Sequence, residues 1–291
     1  MIILVVGLYP ESSGKTVMAS SLVAALRRDG VAAFPFKPVG GTDVWASPWA
    51  LRESRRLRVL ATGDALALRR PVEGAPVELV NPLGFHILPL DPERVSWRVR
   101  DALGVQGLAR RIALARATFC RGNNVYSVHL FNPDALRRAP RSLEREVMEV
   151  AGALVPLPLR AGDEAMENIL AGQYVDEVDQ CLERVMGMAE VVVVESNSSI
   201  AAPTRATARP DLVVAVSPGA AYLADGERFS KAVDLVSLAG KPWSVDAGEA
   251  LALAGHTGSI SLPLLEDPVE GYGPDILAPI IERVKTILEE R

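Results

Sequence analysis

Short apolar segments alternate with longer amphipathic segments along most of the chain. The apolar segments are rich in β-branched residues and lie at residues 2–6, 31–39, 191–194, 212–216 and 260–262. Strands that are apolar on both faces are typical of parallel sheets covered by helices, so this alternation predicts an α/β fold with a parallel sheet flanked by helices. Ligands of such sheets bind beyond the carboxyl ends of the strands. The residues at those ends are Gly7, Lys37, Glu195 and Ser217.

The pattern changes in the middle of the chain, where Arg-rich helical periodicity replaces the short apolar runs. The spacing there predicts helices over residues 93–117, 140–151 and 164–188 and one strand over residues 125–131. We expect residues 103–172 to form an inserted, mainly helical region, and residues 1–102 and 173–291 to form the α/β domain. The alternative, that these helices pack on the main sheet, remains open. Residues 274–290 predict an amphipathic surface helix.

The first sixteen residues have the order of elements found in a P-loop. An apolar strand ends at Gly7, a loop follows, and Gly14-Lys15-Thr16 opens a segment with helical spacing up to Arg28. Tyr9 stands where the usual motif has its first glycine, and an ordinary strand-to-helix turn is the alternative interpretation. The order strand, loop, helix nevertheless makes nucleotide binding the leading hypothesis.

The residue types of this loop suit phosphate chemistry. The backbone N–H groups of the loop and of the helix N-terminus would surround phosphate oxygens, and Lys15 would neutralise their charge. The Thr16 hydroxyl would bind Mg²⁺, which prefers hard oxygen ligands. The residues expected to contact the nucleotide are Ser12, Ser13, Gly14, Lys15, Thr16 and Val17.

Composition narrows the remaining function classes. The formal net charge of −5 disfavours a dominant role in binding nucleic acid or anionic membranes. No apolar run approaches the ~20 residues that span a bilayer, and the N-terminus lacks the features of a signal peptide, so we expect a cytoplasmic protein. Cys120 and Cys181 are far apart in the sequence, and their spacing predicts neither a disulfide framework nor a zinc site.

Three further segments follow the predicted P-loop in a recognisable order. They are Phe36-Lys37-Pro38-Val39, then Asp64-Ala65-Leu66-Ala67-Leu68, then Val80-Asn81-Pro82-Leu83-Gly84-Phe85 with Pro89 and Pro92 after it. In this order and spacing, over about the first 92 residues, the chain resembles dethiobiotin synthetase, a P-loop enzyme family. The resemblance implies ATP and Mg²⁺ as cofactors, a small-molecule acceptor as substrate, and a homodimer.

The resemblance also implies roles for individual residues. Lys37 would lie near the reacting carbamate and the γ-phosphate as a catalytic residue, together with Lys15 of the loop. Asp64 and Glu195 would join Thr16 around Mg²⁺. Each assignment has a structural alternative. Lys37 and Glu195 could be solvated residues at strand ends, and an aspartate before Ala65-Leu66 is also typical of a helix N-cap.

Departures from the family pattern leave other functions open. Ser196-Asn197-Ser198-Ser199 replaces the glycine-rich loop that the family has after its core-strand acid. The expected activity is a Mg-ATP-driven carboxylation and ring closure of a diamino substrate. The alternatives are an ATPase switch that binds a protein partner, and a small-molecule kinase or amidoligase of the same superfamily.

Overall fold

A computed structural model of the chain describes residues 1–102, 105–237 and 240–291. The strands of this part are β1 (Ile2–Gly7), β2 (Ala33–Phe36), β3 (Val39–Asp43), β4 (Leu83–Ile87), β5 (Ile112–Arg121), β6 (Asn124–Phe131), β7 (Leu159–Arg160), β8 (Val191–Glu195), β9 (Leu212–Ser217), β10 (Ala220–Asp225) and β11 (Gly258–Ser261). The α-helices are α1 (Lys15–Arg28), α2 (Pro48–Leu57), α3 (Gly63–Arg69), α4 (Val77–Val80), α5 (Val105–Ala109), α6 (Pro133–Arg138), α7 (Arg141–Ala153), α8 (Asp163–Leu170), α9 (Val175–Met186), α10 (Gly226–Val236), α11 (Ala247–Ala254) and α12 (Pro274–Glu289).

The chain divides into two compact units, each made of discontinuous segments. Unit 1 comprises Met1–Val39, Ala67–Val80 and Asp179–Arg291. Unit 2 comprises Gly40–Leu66 and Asn81–Val178. The chain therefore crosses between the units four times, and two of these crossings fall within helices α3 and α9.

Unit 1 is built on a six-stranded sheet with the strand order β11-β10-β9-β1-β8-β2. The four strands from β9 to β2 run parallel, whereas β10 and β11 are antiparallel additions at one edge. All residues of β1, β2 and β8 are buried, as expected for strands covered on both faces. This confirms the predicted α/β architecture with parallel central strands and helices that flank them.

Helix α1 covers part of this sheet. It packs against β1, β2 and β8 and also contacts α12. Its buried side chains include Met18, Leu22 and Leu26, which follow one another at a spacing of four residues and so lie on one face. The helix therefore begins beside the carboxyl ends of the parallel strands, which is where the site described below lies.

Unit 2 is built on a second sheet with the strand order β3-β4-β5-β6-β7. The pairs β4–β5 and β5–β6 are antiparallel, and the short β7 runs parallel to β6. Its core joins apolar residues of β5 to those of α7, with Leu114, Leu143 and Val147 among its buried members. The second sheet is absent from the sequence prediction.

The prediction of a mainly helical insert over residues 103–172 can be compared with the structure in part. Leu103 and Gly104, at its start, lie outside the described residues. From residue 112 onward the chain forms the β5–β6 hairpin, so the assignment of helix up to residue 117 is wrong. Arg116 falls within that predicted helix, whereas its side chain is fully buried in β5.

The expectation for the cysteines is also wrong. Neither Cys120 nor Cys181 is a free thiol, and both are disulfide-bonded. Spacing along the sequence does not decide whether a cysteine forms a disulfide.

Within the described ranges, no helix combines the length and the apolar character that crossing a membrane requires.

Candidate functional site

The loop between β1 and α1 is shaped by residues in left-handed conformations. Ser12 has a φ of 54° and Gly14 has a φ of 89°, and a glycine accepts such a value without strain. Leu8 anchors the start of the loop by donating its backbone N–H to Val216 O at 2.9 Å. Gly14 caps α1 without a side chain, so the first-turn N–H groups of the helix receive no capping oxygen from it. These N–H groups are suited to an anion.

Lys15 folds back over the end of β1. Its side chain is largely buried, and its Nζ donates to Ser13 Oγ at 3.1 Å. A Cβ atom added at Gly7 would lie 2.6 Å from Lys15 Nζ and 2.6 Å from Ser13 Oγ. Only glycine at position 7 leaves room for this arrangement, which holds the lysine charge beside the loop.

Glu195 connects the loop region to two neighbouring strands. It is the last residue of β8, is only 1% exposed, and pairs in register with Val5 of β1. Its Oε1 accepts from Lys37 Nζ at 2.5 Å and from Thr16 Oγ1 at 3.0 Å. Three of the predicted site residues therefore meet at one carboxylate oxygen.

Lys37 reaches this point from β2, which lies next to β8. It follows Phe36, which pairs in register with Val194, so its position places it beside Glu195. Its Nζ also donates to Ser196 O at 3.0 Å, and its side chain is 3% exposed. Two charges are thus held away from water, and their attraction offsets a desolvation cost that would be large for either alone.

The chemistry of Thr16 and Glu195 fits Mg²⁺. A hydroxyl and a carboxylate are the hard oxygen ligands that this ion takes, and ligands at about 2.1 Å in an octahedron lie about 3 Å from each other. Thr16 Oγ1 and Glu195 Oε1 are 3.0 Å apart. In the described part of the chain, no group of three or more His, Cys, Asp or Glu side chains is arranged to hold a metal ion. Any Mg²⁺ here would therefore take further oxygen ligands from phosphate or water.

Asp64 lies in unit 2, in the first turn of α3. The N-cap role belongs instead to Thr62, whose Oγ1 accepts from Ala65 N at 3.4 Å. A carboxylate in the first turn of a helix is favoured by the helix dipole. The assignment of Asp64 to the metal stays a prediction.

The serine-rich loop after β8 is held in place by its own hydrogen bonds. Ser196 is fully buried, and its hydroxyl donates to Ile200 O. Ala247 N donates to Ser199 O at 2.7 Å, which ties the loop to the start of α11. Asn197 Oδ1 is buried with no hydrogen-bond partner in the described part of the chain. The Ser196 hydroxyl is therefore engaged within the loop, and Asn197 offers an acceptor.

A cleft of about 520 Å³ extends from Thr16 along α1. Thr16, Val17, Ser20, Ser21 and Ala24 form its helical wall. The opposite walls come from Ala67 to Pro71 and from the segment before α12, residues 268–271. The volume lies within the range of small-molecule pockets.

Tyr272, in the segment before α12, contacts the start of α1 and was not among the predicted site residues. Tyr272 N donates to Ser21 Oγ at 2.9 Å, and the Tyr272 hydroxyl lies 3.7 Å from where a Cβ on Gly14 would be. Burial raises the pKa of the Tyr272 hydroxyl above its ordinary value. The sequence feature that could have indicated a role for Tyr272 is the pair of glycines that flank it, but such a pair is equally typical of an ordinary loop.

No protein-family model matches the chain, and no curated protein matches it significantly.

Proposed function

We propose that unit 1 binds a nucleoside triphosphate with Mg²⁺, and that the protein is an ATP-dependent enzyme of the ligase type resembling dethiobiotin synthetase. The observation that carries this proposal is the meeting of Thr16, Lys37 and Glu195 at one buried oxygen. This meeting occurs at the carboxyl ends of parallel strands, where α/β proteins bind ligands. A merely structural ion pair would not need the Thr16 hydroxyl at the start of α1.

Phosphate recognition follows from the loop and the helix terminus. The N–H groups of Ser12 to Val17 would surround the β- and γ-phosphates, and Lys15 would neutralise their charge from its position over Gly7. That the fold of unit 1 is of the P-loop type is part of this proposal. The remainder of the nucleotide would occupy the cleft beside Thr16 and Val17.

Bound Mg²⁺ would supply charge neutralisation and orientation of the phosphates. Thr16 and Glu195 would hold it through their oxygen atoms, with further oxygen ligands from phosphate or water. Lys37 now shares its Nζ between Glu195 and Ser196 O, which fixes its position beside the loop. A positive charge held there stabilises negative charge that develops during transfer of the γ-phosphoryl group.

For ligase chemistry the acceptor is a small amine-bearing molecule. Its amine takes up CO₂ as a carbamate, a carbamate oxygen takes the γ-phosphoryl group from ATP, and a second amine displaces phosphate to close a ring. Such a reaction depends mainly on positioning and charge neutralisation. Lys15 and Lys37 are the residues that supply the positive charge. The proposal also includes that the protein is a homodimer and that it is cytoplasmic.

The test is a calorimetric titration of ATP and GTP in the presence of Mg²⁺. Lys15→Ala should weaken nucleotide binding at least about tenfold, because it deletes a charge that faces the phosphates. The matched control is Lys231→Ala, since Lys231 is an exposed lysine of α10 whose ion pair with Glu227 contributes little. Equal affinities in the two variants would contradict the nucleotide site.

A further inference from the structure

Unit 2 contains a separate pocket whose wall is rich in arginine. The pocket has a volume of about 310 Å³ and lies among the turn after β4, the turn before β5 and the end of α6. Four of its lining residues are Arg94, Arg98, Arg110 and Arg138. Of the described residues that line it, none is Asp or Glu. Nothing in the proposed nucleotide site uses these arginines, which all belong to unit 2.

Two of the arginines are held in fixed positions. Arg94 Nη1 donates to Glu144 Oε1 and to Ala139 O, each at 2.7 Å. Arg138 makes two hydrogen bonds to Asp163, at 3.0 and 2.7 Å. Both side chains are about three-quarters buried. These guanidinium groups therefore form a pre-organised base for the pocket.

The pKa of the Asp163 carboxyl is lowered by the positive charges near it. Burial by itself would raise the pKa of this carboxyl, but hydrogen bonds from Arg138 and Asn132 and the charges of Arg138 and Arg110 lower it below its usual value. Hydrogen bonds and the positive charges of Arg138 and Arg110 together outweigh desolvation at this carboxyl.

The other two arginines have no such partners. Arg98 and Arg110 are exposed, and within the described ranges neither guanidinium has an ion pair or a hydrogen bond. A carboxylate partner is the usual way to hold an arginine in a pocket, and here two guanidinium groups lack one. The neighbouring carboxylates of Asp91, Glu144 and Asp163 form ion pairs with Arg94 and Arg138, so the guanidinium charges of Arg98 and Arg110 remain available to a bound anion.

We propose that this pocket binds a small anion that carries two or more negative charges. Arg98 and Arg110 would bind the anion, and Arg94 and Arg138 would form the floor of the pocket. Guanidinium groups bind phosphate and carboxylate oxygens in pairs, so the shared chemistry covers both phosphorylated compounds and di- or tricarboxylates. The pocket volume suits a compact ligand of this kind. The inference stands independently of the nucleotide site, because it concerns other residues in the other unit.

The experiment titrates inorganic pyrophosphate and citrate separately into the full chain by calorimetry. Every variant also carries Lys15→Ala, which weakens anion binding at the predicted phosphate site of unit 1 and so reduces its contribution to the measured heat. Arg98→Gln/Arg110→Gln should weaken binding at least about tenfold, because it removes two charge-assisted contacts. The control is Arg52→Gln/Arg141→Gln, which changes the charge of unit 2 equally at two exposed arginines outside the pocket.

Tighter binding of pyrophosphate would identify the ligand class as phosphorylated, and tighter binding of citrate as a polycarboxylate. Circular dichroism and the thermal midpoint of each variant check that the fold is intact. Equal affinity of the two double variants for both anions, or no binding of either anion by the Arg52→Gln/Arg141→Gln chain, would overturn the proposal. ATP binding by the chain with Lys15 restored is measured in parallel, so failure here is separate from failure of the nucleotide site.

Discussion

At the scale of single residues, the positions of Lys37 and Glu195 are what the sequence predicted best. Each follows an apolar strand, and the rule that parallel strands end at one edge of a sheet places them together. The structure brings Lys37 Nζ to 2.5 Å from Glu195 Oε1. What the sequence did not reveal is that Thr16 donates to the same oxygen, since a hydroxyl rotamer leaves no trace in a residue pattern.

The role of Lys37 separates a ligase from an ATPase switch. If it stabilises charge in phosphoryl transfer, Lys37→Ala should lower kcat of the acceptor-dependent reaction at least about 100-fold and change nucleotide affinity little. Steady-state kinetics with diamino acids as acceptors measure this, with Lys231→Ala as the control. ATP hydrolysis that needs no acceptor and survives Lys37→Ala would favour the switch.

The buried His86 should make the free energy of unfolding depend on pH in the acid range. It is fully buried in unit 2, where its Nε2 lies 3.0 Å from Ala61 O and its Nδ1 has no hydrogen-bond partner among the described residues. Burial lowers the pKa of His86 to about 4, with the nearby Arg116 charge acting in the same direction and the Ala61 hydrogen bond against it.

Between pH 6.5 and about 4, the unfolded chain holds a proton on His86 that the folded chain does not, so the free energy of unfolding falls as the pH falls. A shift of this size corresponds to about 3 kcal/mol across that window. Urea unfolding at pH 7 and pH 4 measures the loss, and His86→Gln should reduce it by that amount. An equal pH dependence in both proteins would show that His86 is not responsible.

At the scale of elements, strands covered on both faces were predictable and strands of the second sheet were not. β1, β8 and β9 are continuous apolar runs, and the structure confirms them. β5 mixes small, apolar and charged side chains, and most of it lies in the Arg-rich stretch for which the spacing predicted a helix. Local periodicity does not reveal a buried guanidinium whose hydrogen-bond acceptors come from distant segments of the chain.

Arg116 should be a stabilising residue of the second sheet. Its guanidinium donates to Leu60 O and to Asn81 O, which come from two segments far from β5 in the sequence. Arg116→Met would leave both buried carbonyl groups without these donors and should lower the free energy of unfolding by about 3 kcal/mol. Chemical denaturation measures this against Arg137→Met, at an exposed ion pair expected to cost less than about 1 kcal/mol. Similar losses of unfolding free energy in the two variants would contradict a stabilising role for Arg116.

At the scale of the whole molecule, the division into units was the least predictable feature. The second unit takes Gly40–Leu66 as well as Asn81–Val178, and the predicted insert over residues 103–172 stays a prediction. Unit membership depends on contacts between segments remote in the chain, and local periodicity carries no information about those contacts. The motifs of the first 92 residues therefore fall in both units, with Lys37 in one and Asp64 in the other.

The central claim is that Thr16 and Glu195 of unit 1 hold Mg²⁺ on a bound nucleotide. Its most direct test is a calorimetric titration of ATP into the full chain, with Mg²⁺ and then with EDTA, for the unmodified protein and for Glu195→Gln. We predict that Mg²⁺ tightens ATP binding at least about tenfold in the unmodified protein, and much less in Glu195→Gln, whose neutral amide is a poor ligand for the ion. Absence of ATP binding by the unmodified protein, or the same gain from Mg²⁺ in both proteins, would contradict the claim.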